Sequence, residues 1–164
     1  MAQPKRALQV GDLFELTVDD GCFGYGVITK PGVVFSVLIL SKIYIGRPDI
    51  NELLADDSGL IGATTDSFFH HDRWNLIAHD FLIPVNIPYP NWKIGTAQEL
   101  RVTDYDGKQT WPIRPHEVDL LDYKFNVSPL HFHKALQALN GIGEWNAEYE
   151  KLTCEYARRR VTRI

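Results

Sequence analysis

Three apolar segments joined by tight turn signals constrain the fold of this chain more than any other feature. In residues 10–18 apolar side chains recur at every second position, and Asp12 is the polar exception. This alternation is typical of a half-buried β-strand. Asp19, Asp20 and Gly21 supply a turn, residues 23–30 resume the strand pattern, and Pro31 and Gly32 lead into a third strand at 33–41. The three segments predict an antiparallel meander.

The remainder of the chain passes from strands to helices. A short helical turn is predicted at 48–54, strands at 63–69 and 74–83, a proline-rich bend at 84–90, and a hairpin joining 99–105 to 108–113. Ser128 and Gly141 are placed as the caps of a first helix, and a second helix is predicted over 144–160. The pattern predicts an α+β fold with a curved, mostly antiparallel sheet, either open or barrel-like, followed by two C-terminal helices.

Two glycines of the second strand, Gly24 and Gly26, fall on the same face. Because they carry no side chain, we expect a large aromatic ring or another backbone to approach them closely. Both flanks read as strand, which argues against a phosphate-binding loop at this position.

Length and composition predict one domain over residues 1–164, with a tail at 1–9, a β-rich body at 10–121 and a helical pair at 128–160. The N-terminus lacks the apolar region of a secretory signal, and no apolar run is long enough to span a membrane. Cys22 and Cys154 are too few for a disulfide framework and have no activating neighbour in sequence. We therefore expect a cytoplasmic protein with no membrane association.

Charge is distributed unevenly along the chain. The C-terminal segment contains Arg158, Arg159, Arg160 and Arg163, and residues 1–157 hold 13 basic against 21 acidic residues. An acidic body repels nucleic-acid phosphates, so no nucleic-acid partner is expected, and a basic protein partner is the natural complement. Acidity that serves only solubility is the alternative. The arginine-rich end is interpreted as a solvated helix terminus, and contact with an anionic partner is the alternative.

Three histidines and two aspartates crowd the stretch FFHHDRWNLIAHD, residues 68–80. Adjacent side chains of a strand point to opposite faces, so His70 and His71 cannot both bind one metal ion there. A metal site would require His70, His79, His116 and Asp80 to converge through the fold. We expect structural histidines, with no metal and no cofactor, and a small metal-assisted hydrolase is the alternative.

Aromatic residues and acidic turns are the candidate binding elements. Trp74 and Trp145 stand on periodic apolar faces and are predicted to be buried, whereas Trp92 follows the proline-rich bend and is predicted to be an exposed anchor. The predicted partner-binding residues are Asp19, Asp20, Asp56, Asp57 and Trp92. No nucleophile motif accompanies them, so no catalytic residue is assigned.

The succession Gly11-Asp12-Leu13-Phe14, Gly24-Tyr25-Gly26-Val27 and Arg73-Trp74 with Ile77-Ala78-His79 resembles the immunity protein 26 family of bacterial polymorphic-toxin systems. The resemblance covers residues 10 to about 85. Asp72 and Ala78 stand where the family often has glycine, and the C-terminal helices have no counterpart in the motif.

The resemblance implies a cytoplasmic, non-catalytic protein that binds and neutralises a cognate toxin. It assigns no contact residues. Besides the metal-assisted hydrolase, a β-barrel-like adaptor module is a further alternative.

Overall fold

The computed structural model describes residues 6–164, so the first five residues of the predicted tail lie outside the described residues. The fold is α+β with antiparallel sheets, as the sequence predicts. Its elements, in chain order, are β1 (Leu13–Asp19), β2 (Cys22–Lys30), β3 (Phe35–Leu40), β4 (Tyr44–Ile45), α1 (Ile50–Leu54), β5 (Ser58–Thr64), α2 (Ser67–His70), β6 (Trp74–Ala78), β7 (Trp92–Thr96), β8 (Glu99–Thr103), β9 (Thr110–Pro112), α3 (Glu117–Leu120), α4 (Pro129–Leu139), α5 (Ala147–Glu150) and α6 (Cys154–Arg158).

The chain forms two compact units, each discontinuous in sequence. The first comprises the residues up to Val85 together with Asn126–Thr153, and the second comprises Asn86–Phe125 and Cys154–Ile164. The predicted boundaries of a body at 10–121 and a helical pair at 128–160 do not coincide with these units. A single domain over 1–164 stays a prediction.

The first unit is built on one antiparallel sheet of six strands in the order β5-β3-β2-β1-β6, with β4 also paired to β2. The meander β1–β3 is confirmed, with Leu13 opposite Val27 and Val27 opposite Leu38. Because β5 and β6 end the path without pairing to each other, the sheet is open, and the barrel-like form is wrong.

One face of this sheet packs against α2 and α4 and holds the aromatic core. The Phe14 ring stacks on Trp74 at 4.7 Å between centroids and meets the edge of Phe69 at 5.3 Å. The predicted approach of an aromatic ring is confirmed at Gly26, where a Cβ would lie 2.4 Å from the Phe14 ring. At Gly24 the close neighbour is instead an aliphatic side chain, since a Cβ there would lie 2.4 Å from a methyl of Leu136 in α4.

Two predicted strands end earlier than expected. The strand placed at 63–69 lies instead at Ser58–Thr64, and residues 67–70 form the helical turn α2, which directs Phe69 into the core against Phe14. The strand placed at 74–83 ends at Ala78, because Asp80 adopts a left-handed backbone with φ of 56°. Core packing of an aromatic side chain outweighs local β propensity here.

The first C-terminal helix is confirmed as α4, with Ser128 at its N-cap and Pro129 at its first position. The second predicted helix, at 144–160, is wrong. It is two short segments, α5 and α6, because residues 152–153 join the edge of β5: the Ile61 amide donates to the Leu152 carbonyl at 2.7 Å, and Thr153 forms a bridge with Leu60. Pairing with the sheet interrupts the helix.

The second unit contains the antiparallel sheet β7-β8-β9 together with α3 and α6. Asn91 accepts hydrogen bonds through its side-chain oxygen from the amides of Thr162 and Arg163, both at 2.8 Å. The Arg163 side chain, only 14% exposed, pairs with the fully buried Glu117. The predicted solvated arginine-rich end is therefore wrong at Arg160 and Arg163, whose side chains are each only 14% exposed.

Among the described residues, no helix combines the length and apolar character needed to cross a membrane.

Candidate functional site

The turn between β1 and β2 presents two of the predicted binding residues, Asp19 and Asp20, and both are exposed. The Asp20 amide donates to the Asp19 carboxylate at 2.8 Å, which shapes the turn. Ile45 in β4 lies directly opposite Cys22, the residue that begins β2 after this turn, and its side chain is 94% exposed. The structure therefore places an exposed apolar side chain beside the acidic turn, which the sequence patterns do not indicate.

In the second predicted acidic turn, Asp56 has a mainly structural role. The half-buried Asp56 carboxylate accepts hydrogen bonds from the hydroxyls of Ser41 at 2.9 Å and Tyr44 at 3.1 Å, and from the Lys42 amide at 3.3 Å. Burial and then the nearby Asp56 charge raise the pKa of Tyr44 to about 12. Asp56 thus ties the chain after β3 to the end of α1, and Asp57 is exposed beside it.

Trp92 is not a surface residue. It is only 5% exposed, and its ring packs against Phe125 at 5.5 Å and Tyr105 at 5.8 Å. The preceding prolines end before β7, whose first residue is Trp92, so strand geometry directs the indole into the core of the second unit. The prediction of an exposed anchor at Trp92 is wrong.

Trp145 is 42% exposed, so the prediction that it is buried is also wrong. The predicted apolar stripe requires a continuous helix from 144, but α5 begins only at Ala147, and Asn146 caps it by accepting the Glu148 amide at 2.9 Å. Trp145 therefore lies before the helix, where its ring meets Tyr149 edge to face at 5.8 Å and 76°.

Residues 142–150, called here the acidic aromatic segment, are held at both ends. At the start, the amides of Gly141 and Ile142 donate to the carbonyls of Ala138 and Gln137, the double hydrogen bond of a glycine-capped helix end. Gly141 has φ of 80°, which confirms it as the predicted cap of α4. At the far end, Leu152 is buried on the edge of β5.

Asn140 adds a further tie at the start of the acidic aromatic segment. Its side-chain NH₂ donates to the Ser41 carbonyl at 2.9 Å, and its side-chain oxygen accepts the Ile43 amide at 3.3 Å. Both ends of the acidic aromatic segment are therefore fixed by hydrogen bonds to other parts of the first unit.

Side chains of the acidic aromatic segment are chemically of two kinds. Ile142 and Trp145 expose apolar surface, and Glu144, Glu148 and Glu150 are exposed acids. Within residues 6–164, none of these three carboxylates lies within ion-pair distance of a Lys, Arg or His. Exposed apolar side chains with unpaired acidic residues close to them in sequence are a combination expected of a protein-binding surface.

The convergence of His70, His79, His116 and Asp80 that a metal site would require does not occur in the described residues. His70 pairs with Asp66 at 3.0 Å on α2, and His79 contacts the buried Asp12 at 3.0 Å. His116 and Asp80 are exposed. From residue 6 onward, no group of three or more His, Cys, Asp or Glu side chains is arranged to hold a metal ion.

Two buried carboxylates, Asp12 just before β1 and Glu15 within it, belong to the fold rather than to a reaction site. Asp12 accepts from Arg6 at 2.8 Å and from the Gln9 amide at 2.8 Å, and these bonds keep its pKa low although burial alone would raise it. Glu15 accepts from the Tyr25 hydroxyl at 2.9 Å and from Arg47, and burial followed by this bond raises the pKa of Tyr25. Both carboxylates are satisfied internally.

The thiol of Cys154 is buried, which raises its pKa to about 11. Such a thiol is protonated at neutral pH and is a poor nucleophile.

Comparison of this chain with protein-family models, with curated proteins and with solved structures found no match.

Proposed function

We propose that this chain is an immunity protein that binds a cognate bacterial toxin and neutralises it by occlusion, without catalysing a reaction. The single observation that carries the proposal is the acidic aromatic segment, with its exposed Trp145 and three unpaired glutamates. Tryptophan is enriched among the residues that contribute most to protein–protein binding. The segment thereby offers an apolar anchor with an acidic rim.

The fixed ends of the segment favour binding. A loop that is already ordered loses less conformational entropy when a partner covers it. The hydrogen bonds at Asn140 and Gly141, and the pairing of Leu152 with β5, supply this order before any partner arrives. Acidic rim charges also speed the encounter with a basic surface.

The charge of the whole chain supports the same partner chemistry. Residues 1–157 carry an excess of eight acidic residues, so a basic toxin surface is the natural complement. Within the proposal, the exposed Asp19, Asp20 and Asp57 act as further acidic contacts, and Ile45 beside the first turn replaces Trp92 as a second apolar contact. The motif resemblance to the immunity protein 26 family indicates the same role in the cytoplasm.

Co-expression tests this proposal. The product of the adjacent gene is induced in a bacterial host, and growth is measured with this chain, with a sequence-scrambled chain and with no partner. Wild-type chain is expected to restore growth and the scrambled chain is not. An adjacent-gene product that is harmless, or rescue by the scrambled chain, contradicts the proposal.

A matched pair of variants locates the surface. Trp145→Ala removes an exposed aromatic of the acidic aromatic segment, and Tyr123→Ala removes an exposed aromatic of the second unit. Cells that express Trp145→Ala are expected to tolerate an inducer concentration at least about tenfold lower than cells that express the wild-type chain. Cells that express Tyr123→Ala are expected to tolerate nearly the wild-type concentration. Equal rescue by the two variants would show that binding uses another surface.

A further inference from the structure

We infer that the acidic aromatic segment binds an arginine side chain of the partner protein, with the guanidinium stacked on the indole of Trp145 and hydrogen-bonded to the neighbouring glutamates. This inference rests on the proposed function for the identity of the partner, but its chemistry is that of one side chain and can be measured without the toxin.

Trp145 is partly exposed to solvent. Its described aromatic neighbour is Tyr149, at 5.8 Å and 76°, and an edge-to-face contact covers at most one face of the indole. Tyr149 is itself packed against His131 at 5.5 Å and 79°, so the tyrosine is held in place behind the tryptophan. The indole is therefore supported on one side and 42% exposed.

Elsewhere the protein covers aromatic rings with its own cations. Arg47 lies 4.5 Å from the centre of the Phe23 ring, and further cations lie over Phe68, Trp111, Tyr123 and Tyr156. Over Trp145, in contrast, residues 6–164 place no cation. Because tryptophan gives the strongest cation–π attraction of the aromatic side chains, the uncovered indole is the best remaining position for a cation from outside.

The glutamates provide the matching negative charge. Glu144 and Glu148 lie one residue before and three residues after Trp145, and both are exposed. The nearby lysines of this unit, Lys134 and Lys151, form no ion pair with them among the described residues. The negative charge is thus left for a partner.

Arginine fits this arrangement better than lysine. Its guanidinium is planar, so one face can stack on the indole while the N–H groups at its rim donate to carboxylates. A lysine ammonium is a compact, strongly hydrated charge and cannot do both with the same geometry. A charge-assisted hydrogen bond to glutamate also fixes the orientation of the stacked group.

A titration of the ¹⁵N-labelled full chain tests the inference. The probes are the peptide acetyl-Gly-Arg-Gly-amide and the same peptide with citrulline, which keeps the shape of arginine and removes its charge. We expect a saturable shift of the Trp145 indole N–H signal, with half-saturation at an arginine-peptide concentration about tenfold or more below that of the citrulline peptide. Trp145→Phe assigns the signal by its disappearance.

Internal controls accompany this measurement. Trp74 and Trp92 are buried, and Trp111 already lies under Arg163 with its centre 6.0 Å away, so their indole signals are expected to stay in place. The double variant Glu144→Gln, Glu148→Gln is expected to weaken arginine-peptide binding several-fold while the fold is retained.

The two proposals fail separately. Equal shifts with arginine and citrulline, no saturable shift, or an unchanged affinity in the double glutamine variant overturn the inference, and growth rescue by the wild-type chain would still support the proposed function. Arginine binding with no growth rescue would instead overturn the proposed function alone.

Discussion

Arg163 donates two hydrogen bonds to the carboxylate of Glu117, from Nε to Oε1 and from Nη2 to Oε2, both at 3.1 Å, across 46 residues of sequence. The Arg114 amide donates a third, at 2.8 Å. Removing one partner of a buried ion pair leaves an uncompensated charge, so Arg163→Ala is expected to lower the free energy of unfolding by about 3–5 kcal/mol. Urea denaturation at pH 7 measures this loss.

Arg159 provides the matched control. It forms a pair with Glu155 one helical turn earlier, and its side chain is 61% exposed. Exposed pairs of this kind contribute little, so Arg159→Ala is expected to cost about 0.5 kcal/mol or less. Similar losses for the two variants would contradict a buried, structural role for Arg163.

The same carboxylate makes stability depend on pH. Burial raises the pKa of Glu117, but the hydrogen bonds from Arg163 and the Arg114 amide outweigh burial and lower it below its ordinary value. A carboxyl whose pKa is lower in the folded state stabilises the fold above the unfolded-state pKa of about 4.3, and this contribution is lost as pH falls through the folded-state pKa.

Glu117→Gln isolates this contribution. The variant is expected to be less stable at pH 7, because Arg163 loses its charged partner. It is also expected to lose less stability than wild type as pH falls from about 4.3 through the lowered folded-state pKa of Glu117. Unfolding by urea at several pH values measures both slopes. Parallel curves for the two proteins would rule out Glu117 as a source of acid sensitivity.

The exposure of the tryptophans predicts how each contributes to fluorescence. Trp145 is exposed, whereas Trp74 and Trp92 are buried. Because Trp111 is half-buried, Trp145→Phe is expected to remove the largest single share of the acrylamide-quenchable emission, and to change the unfolding free energy by less than about 1 kcal/mol. Trp74→Ala removes the ring that stacks on Phe14 and is expected to lower the free energy of unfolding by about 3–5 kcal/mol. Unchanged quenching in Trp145→Phe would mean that this indole is covered in solution.

The sheet of the first unit is predictable because its strands have a strong local signal. Alternation with period two and turn residues at Asp20-Gly21 and Pro31-Gly32 specify β1–β3 without help from distant residues. The glycine pair on β2 likewise predicts a close approach, and the ring of Phe14 and a methyl of Leu136 provide it. Local patterns therefore identify these three strands and their antiparallel pairing.

The candidate surface is less predictable because tertiary contacts decide it. A stripe at Trp145, Tyr149, Leu152 and Tyr156 indicates a helix, but Leu152 joins the edge of β5 and breaks it. The sequence does hold a signal for this break, since Asn146 has the preference of an N-cap residue and begins α5. Trp92 is buried and Trp145 is exposed, the reverse of what the sequence predicts. The burial of each depends on the residue at which β7 or α5 begins.

Gly26 tests how tightly the core is packed. A Cβ there would lie 2.4 Å from Phe14 Cζ and 2.9 Å from both Cε atoms, and the ring cannot move away freely because Trp74 stacks on it and Phe69 meets its edge. Overpacking of this kind costs about 1–3 kcal/mol, so Gly26→Ala is expected to lower stability by that amount. Phe14→Leu removes the obstructing ring and itself lowers the free energy of unfolding. The double variant Gly26→Ala, Phe14→Leu is expected to lose about 0.5–3 kcal/mol less than the two single losses added together. Strictly additive losses in urea denaturation would show that the alanine methyl and the Phe14 ring do not compete for the same space.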